Sequence, residues 1–91
     1  MLHIVKKLEQ LTWLPRYLQR GDALLLVEQA VYASKVHSPY YHYLPTDSAV
    51  YALQEDLAAR GWLDMCAEPV HIINIAEFVK MTINIEKSIS W

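Results

Sequence analysis

The sequence is poor in the residues that most often build reactive or ligand-binding centres. It contains one cysteine, Cys66, and two glycines, Gly21 and Gly61, among 91 residues. A single cysteine cannot form an internal disulfide or build a Cys₄ zinc site. A phosphate cradle needs glycines that let backbone N–H groups approach the anion, and both glycines here follow segments of helical pattern. The composition therefore excludes a disulfide framework and argues against a nucleotide-binding loop.

The chain also lacks a strong charge of either sign and a long apolar run. Its formal net charge is −2, which gives phosphates no general attraction to the protein. No segment approaches the roughly 18 uninterrupted apolar residues of a membrane-spanning helix, and "MLHIVKKLEQ" has no basic region leading into an apolar one. We therefore expect a protein of a reducing, cytoplasmic compartment that binds neither nucleic acid nor membrane directly.

Apolar and aromatic residues, by contrast, are abundant for so short a chain. Hydrophobic residues make up 54% of the sequence, with six Tyr, three Trp and one Phe. A single domain of this size has a small core, because its surface is large relative to its volume. We therefore expect some of these residues to face a partner, the alternative being that they pack within the chain itself. The predicted interface residues are Tyr32, Tyr40, Tyr41, Tyr43 and Trp62.

Short β-prone runs alternate with segments of helical character. The runs are Leu2 to Val5, Ala23 to Val27, Ala49 to Leu53 and Val70 to Ile73. The second run, "ALLLV", has no polar residue for a solvent-facing side, which is typical of a central strand in a parallel sheet. The alternation predicts one α/β domain over residues 1–91, a three-layer α/β/α sandwich with a mostly parallel sheet. The tail "EKSISW" predicts a fifth strand at the edge.

Local signals mark the ends of the helical segments. Gly21 and Gly61 are placed as C-terminal caps of the first and second helical segments, with Pro15 in the first turn of the first. Asn74 and Glu77 have the spacing of a capping box that begins the last helix. This helix has one apolar stripe, formed by Phe78, Met81 or Thr82, and Ile85.

Few side chains form a pattern that supports chemistry. His37 and His42 flank a loop without an obvious third metal ligand, so no metal is expected. His3 and His71 lie in predicted strands, where we expect partly buried, hydrogen-bonded rings rather than acid–base catalysts. No catalytic, cofactor-binding or metal-binding residue is predicted.

Cys66 is the remaining candidate for covalent work. A cysteine that handles sulfur acts as a thiolate, which needs a nearby cation or a helix N-terminus to lower its pKa. Its sequence neighbours Asp64 and Glu68 would raise the pKa instead. We expect a passive loop cysteine, and the alternative is a persulfide site.

Several stretches of the sequence, taken with this fold, resemble one known family. These stretches are "MLHIV", "GDALLLVEQAVYAS", "VYALQEDLAARGW" and "INIAEFVKMTINIEKSISW". They resemble the TusB/DsrH branch of the DsrE/DsrF/DsrH-like family, and the similarity runs nearly from end to end. The most distinctive stretches are Val50 to Gly61 and the carboxyl-terminal one.

The resemblance implies a DsrEFH-like subunit of a sulfur-transfer assembly. In that family TusB, TusC and TusD form a heterohexamer that relays persulfide sulfur toward 2-thiolation of the wobble uridine of certain tRNAs. The reactive cysteine belongs to TusD, so a TusB-like chain is a supporting subunit that is not catalytic alone and has no cofactor. The implied partners are TusC-like and TusD-like subunits, and the isolated chain could form a homo-oligomer.

The sequence departs from the family in two places. DsrH relatives of sulfur-oxidising bacteria carry a cysteine in the first helical region, whereas residues 11–19 contain none here. The family's usual Gln-Asp-Gly-Val-Tyr run is "EQAVY" at residues 28–32, where Ala30 removes the glycine's freedom to adopt positive φ. Two other functions stay open: a persulfide carrier or acceptor that uses Cys66, and a self-associating scaffold without a sulfur role. The choice between tRNA thiolation and sulfur oxidation also stays open.

Overall fold

Five parallel strands form the central sheet, in the order β4-β3-β2-β1-β5. The computed structural model describes residues 1–85 and 87–91. The strands are β1 Leu2–Val5, β2 Ala23–Leu26, β3 Ala49–Leu53, β4 His71–Ile73 and β5 Ser88–Ser90. The four β-prone runs match β1 to β4 to within one residue at either end. The edge strand expected from the tail is also confirmed, although Glu86 lies outside the described residues.

The central strand β2 is buried along its whole length. Leu24 and Leu26 pack in a core on one face of the sheet, and Ala23 and Leu25 pack in a second core on the other face. Successive side chains of a strand point to opposite faces, so a strand that is covered on both sides must be apolar throughout. This burial confirms the prediction that "ALLLV" forms a central strand.

Short 3₁₀ segments and one α-helix cover the first face. The 3₁₀ segments that pack there are Leu8–Thr12, Leu14–Tyr17 and Glu28–Ser34. The predicted helix ending at Gly21 is wrong, because Trp13 with φ −130° interrupts the helical path and Pro15 lies in the first turn of a new segment. Gly21, with φ 88°, instead occupies a turn in which the Asp22 N–H donates to the Gln19 carbonyl at 2.9 Å.

Helix α1, Gln54–Ala59, ends as the sequence predicts. Gly61 has φ 73°, and its N–H donates to the Ala58 carbonyl at 3.1 Å. The next N–H, that of Trp62, donates to the Leu57 carbonyl at 2.9 Å. These two bonds are the Schellman motif, which needs a left-handed residue after the helix and therefore favours glycine. The motif reverses the chain so that Trp62 packs against the first core.

Helix α2, Ile75–Asn84, covers the second face. The predicted capping box is present: the Glu77 N–H donates to Asn74 Oδ1 at 2.8 Å, and the Asn74 N–H donates to Glu77 Oε1 at 2.9 Å. Its predicted stripe packs against the second core through Phe78, Met81 and Ile85. Helical segments on both faces of a parallel sheet confirm the three-layer α/β fold. Among the described residues, no helix combines the length and the apolarity needed to cross a membrane.

Candidate functional site

The carboxyl ends of the strands are where open parallel sheets usually bind ligands, and one residue at this edge is strained. Glu28 follows β2 and has φ 50°, a left-handed value that costs a residue with a side chain about 1–2 kcal/mol. Its N–H donates to Asp56 Oδ2 at 2.6 Å, so a residue of α1 holds the bend. Ala30 is fully buried in a 3₁₀ segment and has no positive φ. The expected loss of freedom at Ala30 therefore has no effect on this backbone.

Acidic side chains at this edge bind backbone groups. Glu55 Oε2 accepts a hydrogen bond from the Ile75 N–H at 3.3 Å, which joins α1 to the start of α2. Asp56, besides holding Glu28, lies 3.9 Å from Arg60 Nη1. Carboxylates used in this way stabilise loops and are not poised as an acid–base pair.

Cys66 lies just after the 3₁₀ segment Leu63–Met65 and is half-buried. Its backbone forms an antiparallel bridge with Lys35, and its Sγ–H donates to the Ala67 carbonyl at 3.7 Å. Burial raises the pKa of the Cys66 thiol, and a hydrogen bond with Ser34 offsets part of that rise. The raised pKa agrees with the sequence prediction, but its cause is burial rather than the neighbouring Asp64 and Glu68. A thiol with a raised pKa is a weak nucleophile near neutral pH.

Three of the four histidines are exposed, so the expectation of a partly buried ring is wrong for His71, which lies on the edge strand β4. The ring of His42 lies 4.1 Å from that of Tyr43, and the ring of His71 lies 5.3 Å from that of Tyr51. Within residues 1–85 and 87–91, no group of three His, Cys, Asp or Glu side chains is arranged to hold a metal ion.

The fourth histidine, His3, is buried in β1. It belongs to a polar network that joins β1 to Asp22, just before β2, and to Trp91, just after β5. Its Nδ1 accepts a hydrogen bond from Trp91 Nε1–H at 3.0 Å, and its Nε2 lies 3.1 Å from Asp22 Oδ2. Because an indole N–H can only donate, the ring proton of neutral His3 resides on Nε2, which donates to Asp22. Both ring nitrogens are occupied, so His3 is the hydrogen-bonded, structural histidine that the sequence predicts.

Asp22 is the acceptor on which this network converges. Its carboxylate also accepts from the Gln19 N–H at 2.9 Å and from the Met1 ammonium group at 3.1 Å. The Gln19 N–H is the largest influence on the pKa of Asp22, and burial opposes it. The ammonium group and His3 add to the lowering, and the resulting pKa is about 2. Asp22 is therefore ionised at neutral pH.

Four of the five predicted interface residues are connected by ring contacts beside the first core, and we call all five together the tyrosine surface. Tyr32 contacts Trp62 with ring centroids 5.2 Å apart and Tyr40 with centroids 6.3 Å apart, and Tyr40 lies 6.2 Å from Tyr43. Lys35 Nζ lies 4.7 Å from the centroid of the Trp62 ring. All of these aromatic side chains are half-buried. Each therefore serves the chain's own packing and keeps part of its surface exposed, so its interface role stays a prediction.

Tyr41, the remaining member of the tyrosine surface, lines a cleft of about 360 Å³ near the amino ends of β3 and β4. Leu44, Pro45 and Val70 form much of its wall. Clefts of this size and apolar character are suited to an anchoring side chain or a small ligand.

A second aromatic group was missed by sequence reasoning. Trp13 lies 6.0 Å from Tyr17 and 5.5 Å from Trp91, measured between ring centroids. Tyr17 is 67% exposed, more than any member of the tyrosine surface. Trp91 is distant in sequence, so its contact with Trp13 could not be predicted. The available signal was the segment "WLPRYLQR", in which aromatic residues alternate with two arginines.

Comparisons with known proteins agree with this fold. The family model described as DsrH like protein matches residues 6–88. A protein of Pectobacterium atrosepticum named Protein TusB is 39% identical over 78 residues, covering 84% of this chain and 81% of the relative. Protein TusB of Escherichia coli K12 is 34% identical and covers 100% of both chains.

A solved structure gives the same architecture. The crystal structure of the ychN protein from E. coli superimposes with a TM-score of 0.70 at 16% identity, covering 99% of this chain and 97% of that one. At this identity the likeness establishes the fold alone. The family match and the identity to the TusB relatives establish the family, and the chain belongs to the DsrH-like family.

Proposed function

We propose that this chain is a supporting subunit of a cytoplasmic sulfur-relay complex in which another subunit carries the persulfide. The observation that carries the proposal is the similarity to Protein TusB over the full length of both chains. The proposed companions are TusC-like and TusD-like subunits in a heterohexamer. The proposed product of the relay is the 2-thiolated wobble uridine of tRNA.

The environments of Cys66, the one possible sulfur nucleophile, and of the buried His3 support a non-catalytic role. The thiol of Cys66 is half-buried with a raised pKa, so little thiolate is available to accept sulfur. His3 has hydrogen-bond partners at both ring nitrogens and cannot take a proton from a thiol without breaking one of them. Sulfur transfer through this chain alone would need a rearrangement of these contacts.

The direct test is affinity purification of the tagged chain from its native host under gentle conditions. We expect a TusC-like and a TusD-like protein to be recovered with it in near-equal amounts, as identified by mass spectrometry. Recovery of neither companion would contradict the proposal.

Replacing Cys66 by serine is expected to leave sulfur delivery by the assembled complex within about twofold of wild type, because a protonated, half-buried thiol contributes little nucleophile. The measurement is the amount of thiolated wobble uridine in tRNA from cells that carry only the Cys66→Ser subunit. Serine at the reactive cysteine of the TusD-like subunit is the matched control and should abolish the product. A loss of tenfold or more with Cys66→Ser would instead favour the persulfide-carrier alternative.

Replacing Tyr41 by alanine is expected to weaken binding of the companion subunits about tenfold, because a tyrosine at the mouth of an apolar cleft supplies contact area to a partner. The measurement is the dissociation constant by calorimetry, with circular dichroism to follow the fold. Lys80→Ala, at an exposed residue of α2 that does not line this cleft, is the control and should bind as wild type does. If Tyr41→Ala unfolds the chain, Tyr41 belongs to the core and not to the interface.

A further inference from the structure

We infer that Trp13, Arg16, Tyr17 and Arg20 form a docking surface for an acidic patch on a companion protein subunit. We call these four residues the Trp-Arg surface. The inference rests on the proposed function, because it names the chemistry by which the complex would recognise this chain.

The aromatic side chains of the Trp-Arg surface are exposed to an extent that the chain's own packing does not explain. Tyr17 is 67% exposed and Trp13 is 38% exposed. The neighbouring Leu14 is fully buried, so the segment already contributes a side chain to the first core. Tyr17 and the arginines border neighbouring clefts, because Gln19 lines both the cleft that contains Tyr17 and the cleft that contains the arginines. Exposed Trp and Tyr near Arg form the composition that dominates binding energy at protein interfaces.

The rings are held in place before any partner binds. Asp22 fixes His3, His3 accepts the indole N–H of Trp91 at 3.0 Å, and Trp91 packs against Trp13 with centroids 5.5 Å apart. Trp13 in turn contacts Tyr17. A surface whose side chains are already ordered loses less conformational entropy when a partner docks.

The charge of the Trp-Arg surface identifies its partner. Arg16 and Arg20 are exposed, and both line one cleft of about 530 Å³ together with Gln19 and Asp47. Neither guanidinium forms an ion pair with a carboxylate in residues 1–85 and 87–91. Guanidinium groups bind carboxylates through two parallel hydrogen bonds. A partner that presents carboxylates beside an apolar patch would complement both the arginines and the rings.

The same observations argue against RNA as the occupant. The net charge of −2 provides no general attraction for a phosphate backbone. Single-stranded bases stack on ring faces, but Trp13 meets Tyr17 at an interplanar angle of 74° and Trp91 at 81°. Rings turned nearly perpendicular to one another do not form a continuous stacking platform. A protein partner therefore fits this surface better.

The test uses the full chain and its separately purified TusC-like and TusD-like companions. The double variant Arg16→Glu with Arg20→Glu is expected to weaken companion binding at least a hundredfold, because it places like charges opposite each other. Tyr17→Ala, at the most exposed ring, is expected to weaken binding at least tenfold. Calorimetry between 50 and 500 mM NaCl, roughly the range over which surface charges are screened, should show a salt dependence that the double variant loses.

The control is Lys7→Glu with Lys80→Glu, which changes the net charge by the same amount at two exposed lysines that neither line the cleft of the arginines nor take part in the ring contacts of Trp13. It should bind the companions within threefold of wild type. Equal weakening by both double variants would overturn the inference, as would unchanged binding by Arg16→Glu with Arg20→Glu. The inference would also be overturned if Arg16→Glu with Arg20→Glu still bound the companions but no longer bound a tRNA probe that the wild type binds, which would favour RNA. Loss of a self-association seen with the wild type, with companion binding unchanged, would favour a second copy of this chain. Failure of the wild-type chain to bind any companion would overturn the proposed function itself.

Discussion

Replacing Leu25 by alanine is expected to lower the free energy of unfolding by about 3 kcal/mol. Leu25 is fully buried in the second core, where α2 packs against the sheet through Phe78 and Met81. Removing its side chain leaves a cavity that its neighbours in β1 and β3 cannot fill by moving, because the parallel ladders fix those strands. Among the described residues, α2 is the helix that covers this face, so its amide protons should also exchange faster in the variant.

The measurement is urea denaturation at pH 7, with hydrogen exchange to locate the loosened segment. The matched control is Ile83→Ala on α2, where the side chain is 76% exposed and its loss should change stability by less than about 0.5 kcal/mol. A cost below about 1 kcal/mol for Leu25→Ala would show that the second core is loosely packed.

Replacing Asp22 by alanine is expected to cost about 2 kcal/mol at pH 7, since it leaves the N–H groups of His3 and Gln19 without an acceptor. The side chain of His3 is 7% exposed, so water replaces the lost bond poorly. The control is Asp47→Ala in the exposed loop before β3, which should be nearly neutral. Thermal unfolding of the two variants measures the difference. Equal stability of both variants would contradict the structural role of Asp22.

The stabilisation by Asp22 should also depend on pH. Its pKa is about 2 in the folded protein, against 3.8 for the ordinary group. Because the folded state has the lower pKa, the contribution is complete above the unfolded pKa and is lost as the pH falls from about 4 toward 2. Asp22→Asn cannot ionise and should lack this component. Parallel stability curves for the wild type and Asp22→Asn between pH 6 and 2, roughly the window that this pKa sets, would rule it out.

The sheet was predictable because its signals are local. The run "ALLLV" contains no polar residue, which argues against a strand with a solvent-facing side. The runs that form β1 and β3 are bounded by charged or turn-forming residues. The cap at Gly61 and the box formed by Asn74 and Glu77 depend on residues a few positions apart. Local patterns of this kind determine where elements begin and end.

The first helical region was less predictable, because tertiary contacts decide its form. Leu11 and Leu14 are buried as a helical stripe would require, but they belong to separate 3₁₀ segments on either side of Trp13. The left-handed backbone at Glu28 was also missed. The family comparison singles out Ala30, which replaces a glycine, but the strained residue is Glu28, two positions earlier. Its conformation is held by a hydrogen bond to Asp56 of α1, which the local sequence does not reveal.

The candidate surfaces were only partly predictable for the same reason. Tyr32, Tyr40, Tyr43 and Trp62 could be chosen for their residue type, and the structure does join them through ring contacts. The Trp-Arg surface depends on Trp91, which reaches Trp13 only because β5 pairs with β1. Residue type identifies candidates for an interface, but the fold decides which of them stay exposed.

The pairing of β5 with β1 covers a strand edge that would otherwise be open. Trp91 donates its indole N–H to His3, 88 positions earlier, and its backbone N–H to the Ile4 carbonyl. The outer edge of β1 is therefore paired only when residues 88–90 are in place. Open strand edges invite association with other chains. Detachment of residues 88–91 from β1 therefore exposes this edge and favours association with other chains.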